Sequence, residues 1–183
     1  MAGVAVVVID VQEAFFSGPD GSYRGAEVID GINRLTAAAR AGGAPVFIVQ
    51  HDEEGDPEVE YGTAGWQLPA SLVRAEGDIL VRKSVGDSFH ETPLKAELDR
   101  LGIERLLICG YATEYCVNTS ARRAALLGYQ TTVVSDIHTT QHTSALTPEQ
   151  IVAHYNHVWE HSSLAGNRIA VRPLADVLAT EFA

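Results

Sequence analysis

Cysteine is nearly absent from this 183-residue chain, which carries only Cys109 and Cys116. Two cysteines cannot make a disulfide framework, and one of them falls inside an apolar run, so a reducing compartment is expected. Basic side chains are also scarce: 13 Lys and Arg against 24 Asp and Glu leave a formal net charge of −11. That balance repels phosphate backbones and anionic lipid surfaces, so neither nucleic acid nor membrane is expected as a partner. No run approaches the ~20 apolar residues of a membrane-spanning helix. The stretch from Met1 to Asp10 is apolar, lacks a basic leader and ends in an acid, so it reads as a first strand and not a signal peptide, and a cytoplasmic protein is expected. A glycine-rich phosphate loop after that strand is missing, as is any Walker sequence, which argues against a nucleotide cofactor.

What is present is an ordinary globular composition, 46% hydrophobic and 20% charged, of a length that suits one domain over residues 1–183. Short apolar, β-branched runs predict strands at Val4–Ile9, Pro45–Gln50, Ile79–Arg82, Arg105–Cys109, Thr131–Ser135 and Arg168–Arg172. Between and after them, helices are expected near Glu27–Ala41, Pro93–Leu101, Thr113–Leu127, Pro148–His161 and Leu174–Thr180. Thr92-Pro93 and Thr147-Pro148 each place a capping hydroxyl before a proline, and Gln150 completes a possible capping box with Thr147. Gly102 and Gly128 stand where a left-handed residue would end a helix. Alternation of this kind, with nearly continuous apolar strands, predicts a three-layer α/β/α domain around a parallel sheet. The irregular segment from His51 to Glu76 interrupts the alternation and reads as a lid or a subunit contact.

The reactive candidate is Cys116. In Leu106 to Val117 an apolar strand breaks at Gly110, Thr113 offers a cap, and Cys116 falls in the first turn of the following helix. Unpaired N–H groups and the positive end of the helix dipole favour thiolate at such a position. Cys109, inside the strand, reads instead as a small buried hydrophobe that should be inert. In doubly wound sheets ligands bind beyond the carboxyl ends of the strands. Asp10 ends the first strand, Lys83 the third, and Cys116 follows the fourth, so all three are expected at one edge. A carboxylate beside a thiol can take its proton while an ammonium keeps that carboxylate ionised. The helix end and Lys83 favour the thiolate whereas Asp10 and burial oppose it, so a reactive cysteine whose proton is shared with Asp10 is expected.

These pieces, Val8-Ile9-Asp10-Val11-Gln12, Val81-Arg82-Lys83 with Asp87-Ser88-Phe89, Gly110 to Val117, and Ala124 to Asp136, resemble the isochorismatase-like hydrolases, in particular their cysteine-hydrolase amidase branch. The resemblance implies a Rossmann-like six-stranded parallel sheet of order 3-2-1-4-5-6 and a catalytic triad of Asp10, Lys83 and Cys116. It further implies an oxyanion hole from the N–H groups of Ala112 and Cys116, a cis Tyr111-Ala112 peptide, and a homo-oligomer, dimer or tetramer. The expected substrate is a small-molecule amide attacked by the Cys116 thiol. Two alternatives stand beside it: an isochorismatase-type vinyl ether hydrolase, for which the thiol would not matter, and a non-catalytic oligomeric binding member.

Nicotinamidases resemble this chain in the triad but carry an aspartate and several histidines after strand two that bind a metal. Here that region reads His51-Asp52-Glu53-Glu54-Gly55-Asp56, a single histidine in a solvated acidic loop, so no metal and no other cofactor is expected. His154 and His157 lie one turn apart among Ile151, Tyr155, Val158 and Trp159, the pattern of a packed helix with a polar side. Asp136 to Thr140, with the histidine-rich helix that follows, resembles the amidase members of the family. Phe15, Trp66, Phe89, His90, Tyr111 and Tyr115 fall in or near loops at the same edge and are expected to line a partly aromatic substrate pocket. Activity is therefore expected to survive exhaustive chelation; stoichiometric iron or zinc in the purified protein, with activity lost on its removal, would overturn that expectation.

Overall fold

Ala5 through Ile9 are all buried because their strand, β1 (Gly3–Ile9), is covered on both faces. In the computed structural model, which describes residues 3–18 and 21–182, alternate residues of β1 enter different cores. Met1 and Ala2, at the start of the apolar N-terminal stretch, lie outside the described residues. The other parallel strands are β2 (Val46–His51), β3 (Ile79–Lys83), β4 (Ile103–Tyr111), β5 (Gln130–Thr139) and β7 (Asn167–Arg172). A two-residue strand, β6 (Ser163–Leu164), completes the sheet order β3-β2-β1-β4-β5-β7-β6.

The six expected parallel strands are present in the expected arrangement. The antiparallel edge strand β6 is an addition. It is too short to carry an alternation pattern, and it exists because Ala165 and Gly166, both at positive φ, turn the chain tightly back onto β7.

Ala5, Val7 and Ile9 pack toward α3 (Leu94–Arg100), α4 (Asn118–Leu126) and α5 (Pro148–Glu160), around Leu94, Leu98, Ala121 and Trp159. Val6 and Val8 pack toward α2 (Gly25–Ala41) and α6 (Leu174–Glu181), around Ile32, Leu35 and Val177. A four-residue helix, α1 (Glu13–Phe16), was not expected from the sequence, because a single turn is too short to show a helical repeat. The Thr147 capping box forms as read, with Gln150 reciprocating. Thr92 accepts the Leu94 N–H at 3.3 Å, although α3 begins one residue later than expected. Gly102 and Gly128 follow α3 and α4 at φ of 64° and 98°.

Thr113 departs from expectation. It is fully buried, makes no cap hydrogen bond, and opens a π-helical turn, Thr113–Val117, that precedes α4. Its hydroxyl is spent on His138 of β5, 2.9 Å from Nδ1. Asn156 of α5 uses its Nδ2 to donate to the Ser135 carbonyl at 3.1 Å, so its Oδ1 accepts from His138 Nε2 at 2.9 Å. That fixes His138 as the Nε2–H tautomer, with Nδ1 accepting from Thr113.

At Gly110 the backbone has φ of 117°, and a Cβ there would stand 2.1 Å from the Ile9 carbonyl oxygen. Gly110→Ala should therefore cost about 3 kcal/mol or more in urea unfolding, by strain and by forcing β4 away from β1. Burial, partly opposed by Asn156 and Asp136, pushes His138 from its ordinary 6.5 down to about 4. An unfolded chain takes up that proton near pH 6.5 and the native one only near pH 4, so stability is lost as pH falls through this window. The expected loss is on the order of 3 kcal/mol by pH 4, and His138→Gln should flatten that part of the pH dependence whatever its effect at pH 7.

Candidate active site

Three strand ends and one turn build the site. β1 pairs with β2 up to Ile9 and Val49, and Asp10, the next residue, takes φ of 51° while its N–H still donates to the Val49 carbonyl at 2.9 Å. This kink turns the Asp10 side chain into the protein, where it is 1% exposed. β2 and β3 pair so that His51 stands beside Lys83 at their ends. Beyond β4 the Tyr111-Ala112 peptide is cis, and the Ala112 carbonyl accepts the N–H groups of Tyr115 and Val117, both at 3.1 Å. The Cys116 N–H lies between that pair of bonds and is not used in it.

The structure brings Asp10, Lys83 and Cys116 together. Lys83 Nζ is 2.7 Å from Asp10 Oδ2 and donates to Cys116 Sγ at 3.3 Å, and the lysine side chain is wholly buried. A third partner is His51 Nδ1, 3.2 Å from Nζ. Burial, the largest influence, opposes the ammonium, but the Asp10 charge and the hydrogen bonds to Asp10 and Cys116 work the other way, and Lys83 is held above its ordinary value. For Cys116, burial and then the Asp10 charge push the thiol up to about 12, with Lys83 pulling the other way. Burial and the Asp10 carboxylate, the two influences expected to oppose the thiolate, outweigh the ammonium and the end of the π turn, so the proton stays with the sulfur at rest. Cys109, fully buried in β4, is raised by burial alone.

Gln12 is completely buried and organises the floor. Its Oε1 accepts the His51 N–H at 2.8 Å, and its Nε2 donates to the carbonyls of His51 at 2.9 Å and Trp66 at 3.2 Å. Gln50 donates to the same Trp66 carbonyl at 2.9 Å. The segment after β2 is also stitched to α1 by Glu13 N–H to Gln67 O and Ala14 N–H to Gly65 O, at 2.8 and 2.9 Å.

Of the aromatic candidates, Phe15 and Tyr111 stack at 4.5 Å, with Phe16 edge-on to Tyr111 at 6.1 Å. The Tyr111 hydroxyl donates to Gln141 Oε1 at 3.1 Å, and its titration is raised by burial first and then by Glu114, Cys116 and Asp10, which places it in their electrostatic reach. Trp66 is half-buried against Tyr61. Phe89 does not join this group: it belongs to the core, its ring 6.0 Å from Tyr129. His90 is exposed beside Glu91, and Tyr115 is 65% exposed. Loop position alone could not tell a residue facing the site from one facing the core or solvent.

Among the described residues, three buried side-chain atoms lack a hydrogen-bond partner: Asp10 Oδ1, Glu114 Oε2 and Trp66 Nε1. All three belong to chain segments that follow the carboxyl ends of strands. An unpaired buried polar atom is costly, so each of these is a candidate partner for a ligand's own groups.

No group of three or more His, Cys, Asp or Glu among the described residues is arranged to hold a metal. The acidic stretch is otherwise engaged: Asp52 pairs with Arg82 at 2.5 Å, and His51 faces Lys83. His157 packs against His161 at 4.2 Å and His154 against Tyr155 at 5.6 Å. No helix of the described residues is long and apolar enough to cross a membrane. Sequence reasoning missed Gln12 and His51 as members of the site. The available signal was position, since His51 ends β2 and Gln12 follows the end of β1 by three residues, at the edge where Asp10 and Lys83 were already placed.

The Isochorismatase domain family matches residues 4–159 of the chain. Streptothricin hydrolase of Streptomyces noursei is 37% identical over 136 residues, which is 74% of this chain but 49% of that protein, so the chain spans about half of that relative's length. Ureidoacrylate amidohydrolase RutB of Klebsiella pneumoniae is 31% identical over 170 residues, 72% of this chain and 71% of the relative. A crystal structure of an isochorismatase family protein superposes with a TM-score of 0.83 at 32% identity, covering 92% of this chain and 96% of the other. With Asp10, Lys83 and Cys116 gathered at the carboxyl edge of a sheet of this order, and with likeness running through most of its length, the chain belongs to the isochorismatase-like hydrolase family.

Proposed function

We propose that this protein is a metal-independent cysteine amidohydrolase that cleaves an amide-type C–N bond of a small molecule through a thioester on Cys116. The observation that carries this reading is Asp10 Oδ1, a buried acceptor with no partner, on a carboxylate whose other oxygen is held by Lys83. Such an oxygen can take the Cys116 proton as the thiolate attacks the carbonyl carbon, and can then return it to the departing nitrogen. The N–H groups of Ala112 and Cys116 receive the developing oxyanion, an interaction commonly worth about 3 kcal/mol of barrier. Water then attacks the thioester, Asp10 takes its proton, and that proton passes to the Cys116 sulfur as the acid leaves. Lys83 anchors the carboxylate throughout.

Two relatives at 31% identity or more are named for hydrolysis, one of them as an amidohydrolase, which supports the amide reading. The vinyl ether alternative fits less well. Isochorismate is a dicarboxylate, whereas two of the three unspent atoms, Asp10 Oδ1 and Glu114 Oε2, are carboxylate acceptors, with Trp66 Nε1 the one donor. Lys83 is the only Lys or Arg among the described residues in contact with Asp10 or Cys116, and its partners are all internal.

Mass spectrometry during turnover of small primary, cyclic and ureido amides should trap an acyl adduct on Cys116 that Cys116→Ala cannot form. Iodoacetamide should label Cys116 before Cys109, in step with loss of activity. A variant lacking the thiol that still turns over amides would end the covalent reading. Asp10→Asn and Lys83→Met should each lower kcat by about a hundredfold to ten-thousandfold while the protein still folds, because one loses the proton acceptor and the other its anchor. Near-normal turnover in either would remove that residue from the mechanism.

A further inference from the structure

We infer that His51 is a fourth, positioning member of the site: its Nδ1 accepts the third proton of the Lys83 ammonium and so fixes the direction of the other two. The role rests on the reading of Asp10, Lys83 and Cys116 given above. An ammonium has three N–H donors and no acceptor. Lys83 Nζ has three partners, Asp10 Oδ2 at 2.7 Å, His51 Nδ1 at 3.2 Å and Cys116 Sγ at 3.3 Å, and it is wholly buried, so water cannot substitute for any of them. Facing a donor, Nδ1 must be unprotonated. The ring proton therefore sits on Nε2, which is 3.6 Å from Glu53 Oε2.

The backbone of His51 is held as firmly as its ring. β1 stops pairing with β2 at Val49, two residues before His51, because the chain turns away at Asp10. Gln12 replaces the lost strand by a two-way bond, accepting the His51 N–H at 2.8 Å and donating to its carbonyl at 2.9 Å. On its other side, β3 runs in register so that Lys83 lies directly beside it. A buried glutamine thus sets the histidine, the histidine sets the lysine, and the lysine sets the carboxylate and sulfur. Neutral His51 also keeps the charge count of the site balanced, one carboxylate against one ammonium with the thiol uncharged.

The tautomer is a direct test on the wild-type protein. Long-range proton–nitrogen correlation spectra at neutral pH should show His51 as the Nε2–H form, and an Nδ1–H or doubly protonated ring would overturn the assignment. His51→Leu removes the acceptor and should slow alkylation of Cys116 by iodoacetamide at pH 9 by about tenfold, since an ammonium short of one partner supports the thiolate less well. His51→Asn places an oxygen near the Nδ1 position and should recover the rate to within about threefold of wild type. With an amide substrate the Leu variant should lose kcat with little change in KM.

A folded Leu variant that alkylates and turns over like wild type makes His51 a bystander and overturns the proposal, as does an Asn variant no better than Leu. If the Leu variant does not fold, the wild-type tautomer and the Asn rate decide. Alkylation and tautomer require no substrate, so failure to hydrolyse any amide would count against the proposed activity and leave the His51 assignment to its own measurements.

Discussion

A lysine with no solvent exposure, 2.7 Å from a carboxylate that is itself 1% exposed, is the constraint on which this site depends. Removing both charges from water costs several kcal/mol per ion, and the attraction between them offsets that only when geometry and further hydrogen bonds are good. Losing one partner would strand the other, at a cost of roughly 3–5 kcal/mol. The surrounding structure therefore has to supply acceptors for every proton of Lys83, and it does so from β1, β2 and the turn after β4 at once. The parallel sheet makes that possible, because it brings four chain segments from distant parts of the sequence to one edge in fixed register.

The backbone departs from regularity at the same edge. Asp10 at positive φ, Gly110 lying against Ile9, the cis Tyr111-Ala112 peptide and the π turn at Thr113–Val117 all fall within a few residues of the strand ends. Thr113 and His138 tie the turn down to α5 through Asn156, so the sulfur is placed by a chain of buried hydrogen bonds and not by a helix cap. At the opposite edge, a cavity of about 860 Å³ is lined by Arg40, Asp78, Arg105 and Glu181. Those charges are paired with one another, Arg40 with Asp78 and Arg105 with Glu181. Volume alone is therefore a poor guide to chemistry here; the unspent polar atoms lie at the other end of the sheet.

The strands, the long helices and the positions of Asp10, Lys83 and Cys116 were legible because each is set locally, by an apolar run, a cap or a break at a strand end. His51 and Gln12 were not, because their roles exist only through register between strands about 40 residues apart. For Cys116 the opposing influences were legible, helix end and Lys83 against Asp10 and burial, but not their balance, because the degree of burial that decides it is set by the packed structure. Phe89 shows the same limit from the other side, since the residue types around it do not reveal that its ring meets Tyr129 inside the core.

Counting protons at the site gives the proposed reaction its order. Lys83 has none to spare, Asp10 Oδ2 is occupied, and the thiol keeps its own hydrogen at rest, with burial and the Asp10 charge holding Cys116 up to about 12. The Asp10 oxygen without a hydrogen-bond partner is Oδ1, and it is the acceptor left for that hydrogen. A proton placed there by the thiol must leave before the same oxygen can activate water, and in a buried site its outlet is the departing nitrogen. A substrate whose leaving group needs no proton would leave Asp10 blocked, so the arrangement selects for leaving groups that must be protonated. An amide nitrogen meets that requirement, because it departs as an amine and not as its anion.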